Sequence, residues 1–140
     1  MEKGVYVLII HLSQERDIVV GKLGELSFKK GYYAYVGSAL GGLEGRIKRH
    51  FRKEKKAHWH IDYLLSSAKP LFAIVDKTGE RMECRLARKL LEKLTCVRGF
   101  GSTDCTCKSH LFYSKDLDSL LKTVKWAFEE NKLKPLQWRS

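Results

Sequence analysis

The sequence predicts an α+β (mixed α/β) fold in which a small central antiparallel sheet is flanked by helices. Three observations predict it. "GVYVLIIHL" (4–12) is a continuous apolar run rich in β-branched residues, the pattern of a strand buried on both faces. Short strand-like pieces punctuated by glycine follow it, and later segments carry apolar residues four apart. The strands and helices do not alternate in the regular βαβ order of a parallel doubly wound sheet.

The elements follow in order. "SQERD" (13–17) is a polar turn, and "IVVGKLGELSFKKG" (18–31) reads as an extra hairpin after the first strand, broken at Gly21 and Gly24. "YYAYVG" (32–37) is a strand with Tyr33 and Tyr35 on one face and Tyr32, Ala34 and Val36 on the other. "LEGRIKRHFRKEKK" (43–56) predicts a helix whose stripe is Leu43, Ile47 and Phe51, with Arg46 and His50 sharing a line beside it. "WHIDYLLSS" (59–67) predicts a short helix ending before Pro70, "LFAIVD" (71–76) a strand and "KTGE" (77–80) a turn. A helix over 82–94 would turn Met82, Leu86, Leu90 and Leu94 inward, with Glu83 in its first turn, where the helix dipole favours a carboxylate. A Gly- and Cys-rich loop (98–110) leads to a last strand, "HLFYS", and then to an amphipathic helix over 116–131 facing inward with Leu117, Leu120, Leu121, Val124 and Phe128. The tail, 132–140, is expected to be loosely ordered.

A chain of 140 residues without linker, repeat or low-complexity tract predicts a single domain, 1–140. Hydrophobic residues make up 44% and charged residues 31%, a globular rather than a disordered balance. No apolar run approaches the roughly 20 residues of a membrane span, and no signal-peptide pattern opens the chain. A cytoplasmic location is expected, with no membrane partner. Lys plus Arg number 27 against 16 Asp plus Glu, a formal net charge of +11. Such an excess attracts polyanions, and nucleic acid is the first expected partner.

Gly4-Val5-Tyr6 in the first strand and Tyr35-Val36-Gly37 in the third precede Arg46 and His50 on one helix and Glu83 on another. This ordered set resembles the GIY-YIG nuclease superfamily. The segments "YAYVGSA", "RIKRH", "HWHIDYLL", "MECRLA" and "FGSTDC" resemble more narrowly its Uri-type branch, over roughly residues 4 to 113. The resemblance implies a small sheet of that type, with Gly4 and Gly37 as its motif glycines. It also implies a metal-dependent DNA endonuclease that hydrolyses phosphodiester bonds with one divalent cation, in repair or processing, alongside a DNA-repair enzyme as partner. Glu83 would bind Mg²⁺ or Mn²⁺, an oxygen-seeking cation. Arg46 would hold the scissile phosphate through its planar fork. Tyr6, Tyr35 and His50 remain alternatives for the base, since an ordinary tyrosine, with a pKa of about 10, is a poor one near neutrality. Ser38 stands where excision nucleases of the superfamily carry a lysine. That substitution and the charge excess motivate the alternative of a non-catalytic nucleic-acid-binding accessory module.

Further candidates surround this set. Lys48, Arg49, Arg52, Lys53, Lys55 and Lys56 form a basic run, and His58 and His60 flank Trp59; all are candidate nucleic-acid contacts. Ser38 and Asp104 are additional site candidates, with Asp104 also suited to a turn. Of the four cysteines, Cys105, Cys107 and Cys96 could join His110 as four ligands. C-x-C-x2-H is not a standard zinc spacing, so zinc at Cys105/Cys107/His110 is not expected, and small buried thiols are.

Overall fold

The computed structural model describes residues 2–103 and 105–138. Its strands are β1 (Gly4–Leu12), β2 (Arg16–Val19), β3 (Glu25–Phe28), β4 (Gly31–Ala39), β5 (Lys69–Asp76), β6 (Thr95–Cys96), β7 (Leu111–Ser114) and β8 (Leu136–Trp138). Its α-helices are α1 (Leu43–Phe51), α2 (His60–Leu65), α3 (Glu83–Leu91) and α4 (Leu117–Glu130). Six strands form one antiparallel sheet in the order β6-β7-β4-β1-β5-β8. β2 and β3 form a separate two-stranded sheet, the extra hairpin. The fold is α+β.

β1 is central, which explains its unbroken apolar run. Tyr6, Leu8, Ile10 and Leu12 enter one core with the hairpin, α1 and α2. Val5, Val7 and Ile9 enter the other, beneath α3 and α4. β4 alternates in the same way: Tyr33 and Tyr35 join the first core, and Ala34, Val36 and Tyr32 join the second. Met82, Leu86 and Leu90 below α3, and Leu120, Val124 and Phe128 on α4, are buried as their spacing requires.

Several expected boundaries move, and the helix expected over 82–94 ends at Leu91, before the unexpected short strand β6. α1 ends at Phe51, and Arg52 is already extended, with ψ 132°. The run Arg52, Lys53, Lys55 and Lys56 places like charges within one turn of one another, which opposes continuing the helix. Within the tail, Leu136–Trp138 form β8, which pairs with β5, with Leu136 opposite Val75 and Trp138 opposite Ala73. Trp138 also packs against Phe51, ring centroids 6.1 Å apart. Among the described residues, no helix is long and apolar enough to cross a membrane.

Candidate active site

The site begins with a close approach between neighbouring strands. Tyr6 on β1 lies opposite Gly37 on β4. A β-carbon at Gly37 would sit 2.8 Å from Tyr6 Cε1 and closer still to Cζ and Oη, so only glycine leaves room for this ring. Gly4 has the same use: a β-carbon there would overlap the Asp76 carbonyl oxygen and the Leu43 side chain, blocking α1 from the sheet. The two motif glycines therefore set how near the first helix and the Tyr6 ring come to the strands.

The Tyr6 hydroxyl lies 2.7 Å from His50 Nε2, and both groups are buried. Burial, reinforced by Tyr35, holds the Tyr6 phenol well above its usual range, against a lowering pull from Arg46. Burial also pushes Tyr35 up to about 12, again opposed by Arg46. His50 is lowered to about 3, chiefly by burial; Asp62 opposes this and Arg46, Arg49 and Lys55 add to it. The resting imidazole is therefore neutral and can share one proton with Tyr6. His50 Nδ1 is buried without a hydrogen-bond partner.

Arg46 Nη1 donates to the Ser38 carbonyl at 3.0 Å, and its guanidinium carbon lies 4.5 Å from the centre of the Trp59 ring. Arg49 stacks on the same ring at 4.3 Å. Trp59 thus limits the motion of both guanidiniums, a role that the sequence does not signal. Arg49 is also committed to Asp62, with Nη1 and Nη2 donating to its two carboxylate oxygens at 2.9 and 3.0 Å. Asp62 further accepts from the His58 and Trp59 backbone N–H groups. Its burial favours the neutral acid, but the bonds from Arg49, Trp59 and His58 outweigh this and hold its carboxyl below the usual range.

These groups converge. Tyr6, Tyr35, Ser38, Arg46, Glu83 and both His58 and His60 line one cleft of about 310 Å³. Glu83 enters from the layer on the far side of the sheet, at the first residue of α3, and its Oε2 is buried without a hydrogen-bond partner. His50 does not line this cleft; it lies behind Tyr6, packs against Tyr35 and Trp59, and lines a second cavity. His60 Nδ1 accepts the Gly101 N–H at 2.9 Å and so ties the 97–110 loop to α2. None of the expected basic run Lys48, Arg49, Arg52, Lys53, Lys55 and Lys56 lines this cleft. Lys48 pairs with Glu44 at 3.0 Å, while Arg52, Lys53 and Lys55 line the second cavity, of about 580 Å³, which shares no residue with the first. Lys56 is exposed and its carbonyl accepts from Arg49. Asp104 lies outside the described residues.

A family model, Domain of unknown function DUF123, matches residues 5–133. The chain belongs to the DUF123 family. No curated protein and no solved structure matches it significantly. The matched span of this DUF123 domain contains Tyr6, Tyr35, Arg46, His50 and Glu83 together with the cysteine loop.

The expected cofactor needs correction. Mg²⁺ or Mn²⁺ on Glu83 requires further oxygen ligands around it. Among the described residues, the group of His, Cys, Asp and Glu arranged to hold a metal is instead Cys84, Cys105, Cys107 and His110, with ligand atoms all within 4.8 Å of one another. Three sulfurs and an imidazole are a soft set, suited to zinc and unsuited to Mg²⁺ or Mn²⁺. The expectation against zinc at Cys105/Cys107/His110 falls with it. The local spacing misled because the fourth member of the cluster is Cys84 on α3, not Cys96, which lies on β6. The four cysteines are free thiols.

Proposed function

We propose that this DUF123 domain is a phosphodiesterase acting on nucleic acid, a DNA endonuclease of the GIY-YIG, Uri-type kind. The observation that carries the reading is the convergence of Tyr6, Tyr35, Arg46 and Glu83 on one cleft, with His50 behind Tyr6. The net charge of +11 supplies the long-range attraction for a polyanion.

The chain's own residues account for the steps as follows. With Nη1 spent on the Ser38 carbonyl, Arg46 keeps further guanidinium donors for a phosphate's oxygens. His50 is depressed first by burial and then by Arg46, Arg49 and Lys55, and a phosphate anion there opposes the share that comes from those cations. The Tyr6 oxygen can then accept a hydrogen bond from the attacking water while its own proton moves toward His50 Nε2. Glu83, which also lines the cleft, can accept a hydrogen bond from the attacking water, and the departing alkoxide takes its proton from solvent water. Positioned proton transfer of this kind is worth roughly 10²–10⁴ in rate. Cleavage would serve DNA repair or processing, with a repair enzyme as the partner that directs so small a domain to its target.

The test is incubation of supercoiled plasmid and of nicked and branched duplexes with the protein, across a panel of divalent cations and in chelator. The wild type is expected to cut at least one substrate, and Arg46→Ala and Tyr6→Phe to cut it at least about 100-fold more slowly. Equal cleavage by wild type and Arg46→Ala on every substrate overturns the assignment. Salt-sensitive binding with no cleavage under any condition replaces it with the non-catalytic accessory module.

A further inference from the structure

We propose that Cys84, Cys105, Cys107 and His110 bind one Zn²⁺ in a closed tetrahedral site that pins the 97–110 loop to the first turn of α3. The ligands come from a helix, a loop and the residue before β7, so sequence neighbourhood alone does not cluster them. Their spacing fits the ion. Zn–S bonds of about 2.3 Å and Zn–N bonds of about 2.0–2.1 Å at tetrahedral angles put sulfur and nitrogen about 3.6 Å apart. His110 Nε2 lies 3.5 Å from Cys105 Sγ and 3.8 Å from Cys84 Sγ.

The surroundings fit as well. His110 is buried, its Nε2 is turned to the Cys84 and Cys105 sulfurs, and its backbone carbonyl accepts the Val36 N–H at 2.9 Å, which ties it to β4. The loop is shaped by its own backbone: the Gly99 N–H donates to the Lys108 carbonyl at 2.7 Å, and the His110 N–H to the Phe100 carbonyl at 2.8 Å. The ligands therefore need little reorganisation to take up the metal. Three thiolates and a neutral imidazole around a dication leave one net negative charge, and the strongly basic chain places Arg81 along the same cleft.

The role follows from the ligand count. Four protein ligands fill a tetrahedral zinc and leave no position for water or substrate, so this metal is structural. Cys84, Cys105 and His110 also line the cleft that holds Tyr6 and Arg46, so the zinc builds part of its wall. Cys84 directly follows Glu83, and fixing its sulfur fixes the helix start that presents that carboxylate. The site stands whether or not the cleft cuts nucleic acid.

The test uses the full chain, purified under reducing conditions without chelator and analysed for metal. About one zinc per chain is expected. Cys84→Ser, Cys105→Ser and Cys107→Ser should each lose most of it, and Cys96→Ser should keep it. Because a ligand variant can fail to fold, wild-type protein stripped by chelator is also titrated with Co²⁺. Thiolate charge-transfer absorption with the intense visible bands of tetrahedral cobalt supports the site, and so does protection of three of the four thiols from a thiol reagent. Absence of zinc together with an octahedral cobalt spectrum overturns the proposal. Equal loss of zinc from Cys96→Ser and Cys84→Ser overturns the ligand set.

Discussion

Replacing His50 with glutamine should flatten the acid sensitivity of this fold. His50 is 1% exposed and is lowered from 6.5 to about 3, chiefly by burial. In the unfolded chain it returns to about 6.5. Between those values the unfolded state binds the extra proton, so stability falls as pH falls, by about 1.4 kcal/mol per unit. The stability that a neutral His50 preserves is thus complete above about pH 6.5 and is lost progressively toward about pH 3. From about pH 7.5 to about pH 5 the loss from this one residue comes to about 2 kcal/mol. At a urea m-value of about 2 kcal/mol/M, that moves the unfolding midpoint by about 1 M. Asp62 acts with the same sign, since its folded carboxyl is held low, but only below about pH 4. His60 and His110 are also lowered by burial, and their share is common to both proteins. The assay is urea unfolding of wild type and His50→Gln at a series of pH values. The stability gap between them should shrink by about 2 kcal/mol from pH 7.5 to pH 5. A gap that stays constant refutes the reasoning that burial keeps this imidazole neutral.

Three further outcomes are expected. Gly37→Ala should destabilise by about 1–3 kcal/mol, because the new methyl group drives the Tyr6 ring from its place against His50; thermal unfolding measures this, and an unchanged midpoint would show that the strands can spread there. Asp62→Asn should cost about 3 kcal/mol, since it strands the Arg49 guanidinium beside a partner whose side chain is only 1% exposed; chemical denaturation above pH 6 checks it, and a loss below about 0.5 kcal/mol is against it. Charge reversal at Arg52, Lys53, Lys55 and Lys56 should weaken duplex binding and flatten its salt dependence by about one logarithmic unit for each phosphate left without its cation. An unchanged salt slope means that this basic run is not the footprint.

Much of the fold is written in local pattern. Both faces of β1, the alternation of β4 and the inward rows of α3 and α4 follow from spacings of two and of three to four residues. Those spacings decide which side chains share a face, whatever the neighbour. The ordered set Tyr6, Tyr35, Arg46, His50 and Glu83 is visible in the same way, as residue types on particular elements. What the pattern does not carry is distance between elements. That Leu136–Trp138 would add a strand to β5, that Asp62 would take up Arg49, and that Trp59 would stack on both guanidiniums depend on register and packing. The cluster of Cys84, Cys105, Cys107 and His110 shows this most clearly. Read along the chain, Cys105, Cys107 and His110 make no standard zinc pattern, and Cys96 is their nearest upstream cysteine. The fold instead brings up Cys84, because α3 starts where the loop returns toward β7. Residue type and spacing name the side chains able to do chemistry, and the packed fold selects which of them meet, since chain connectivity limits a distance but packing sets it.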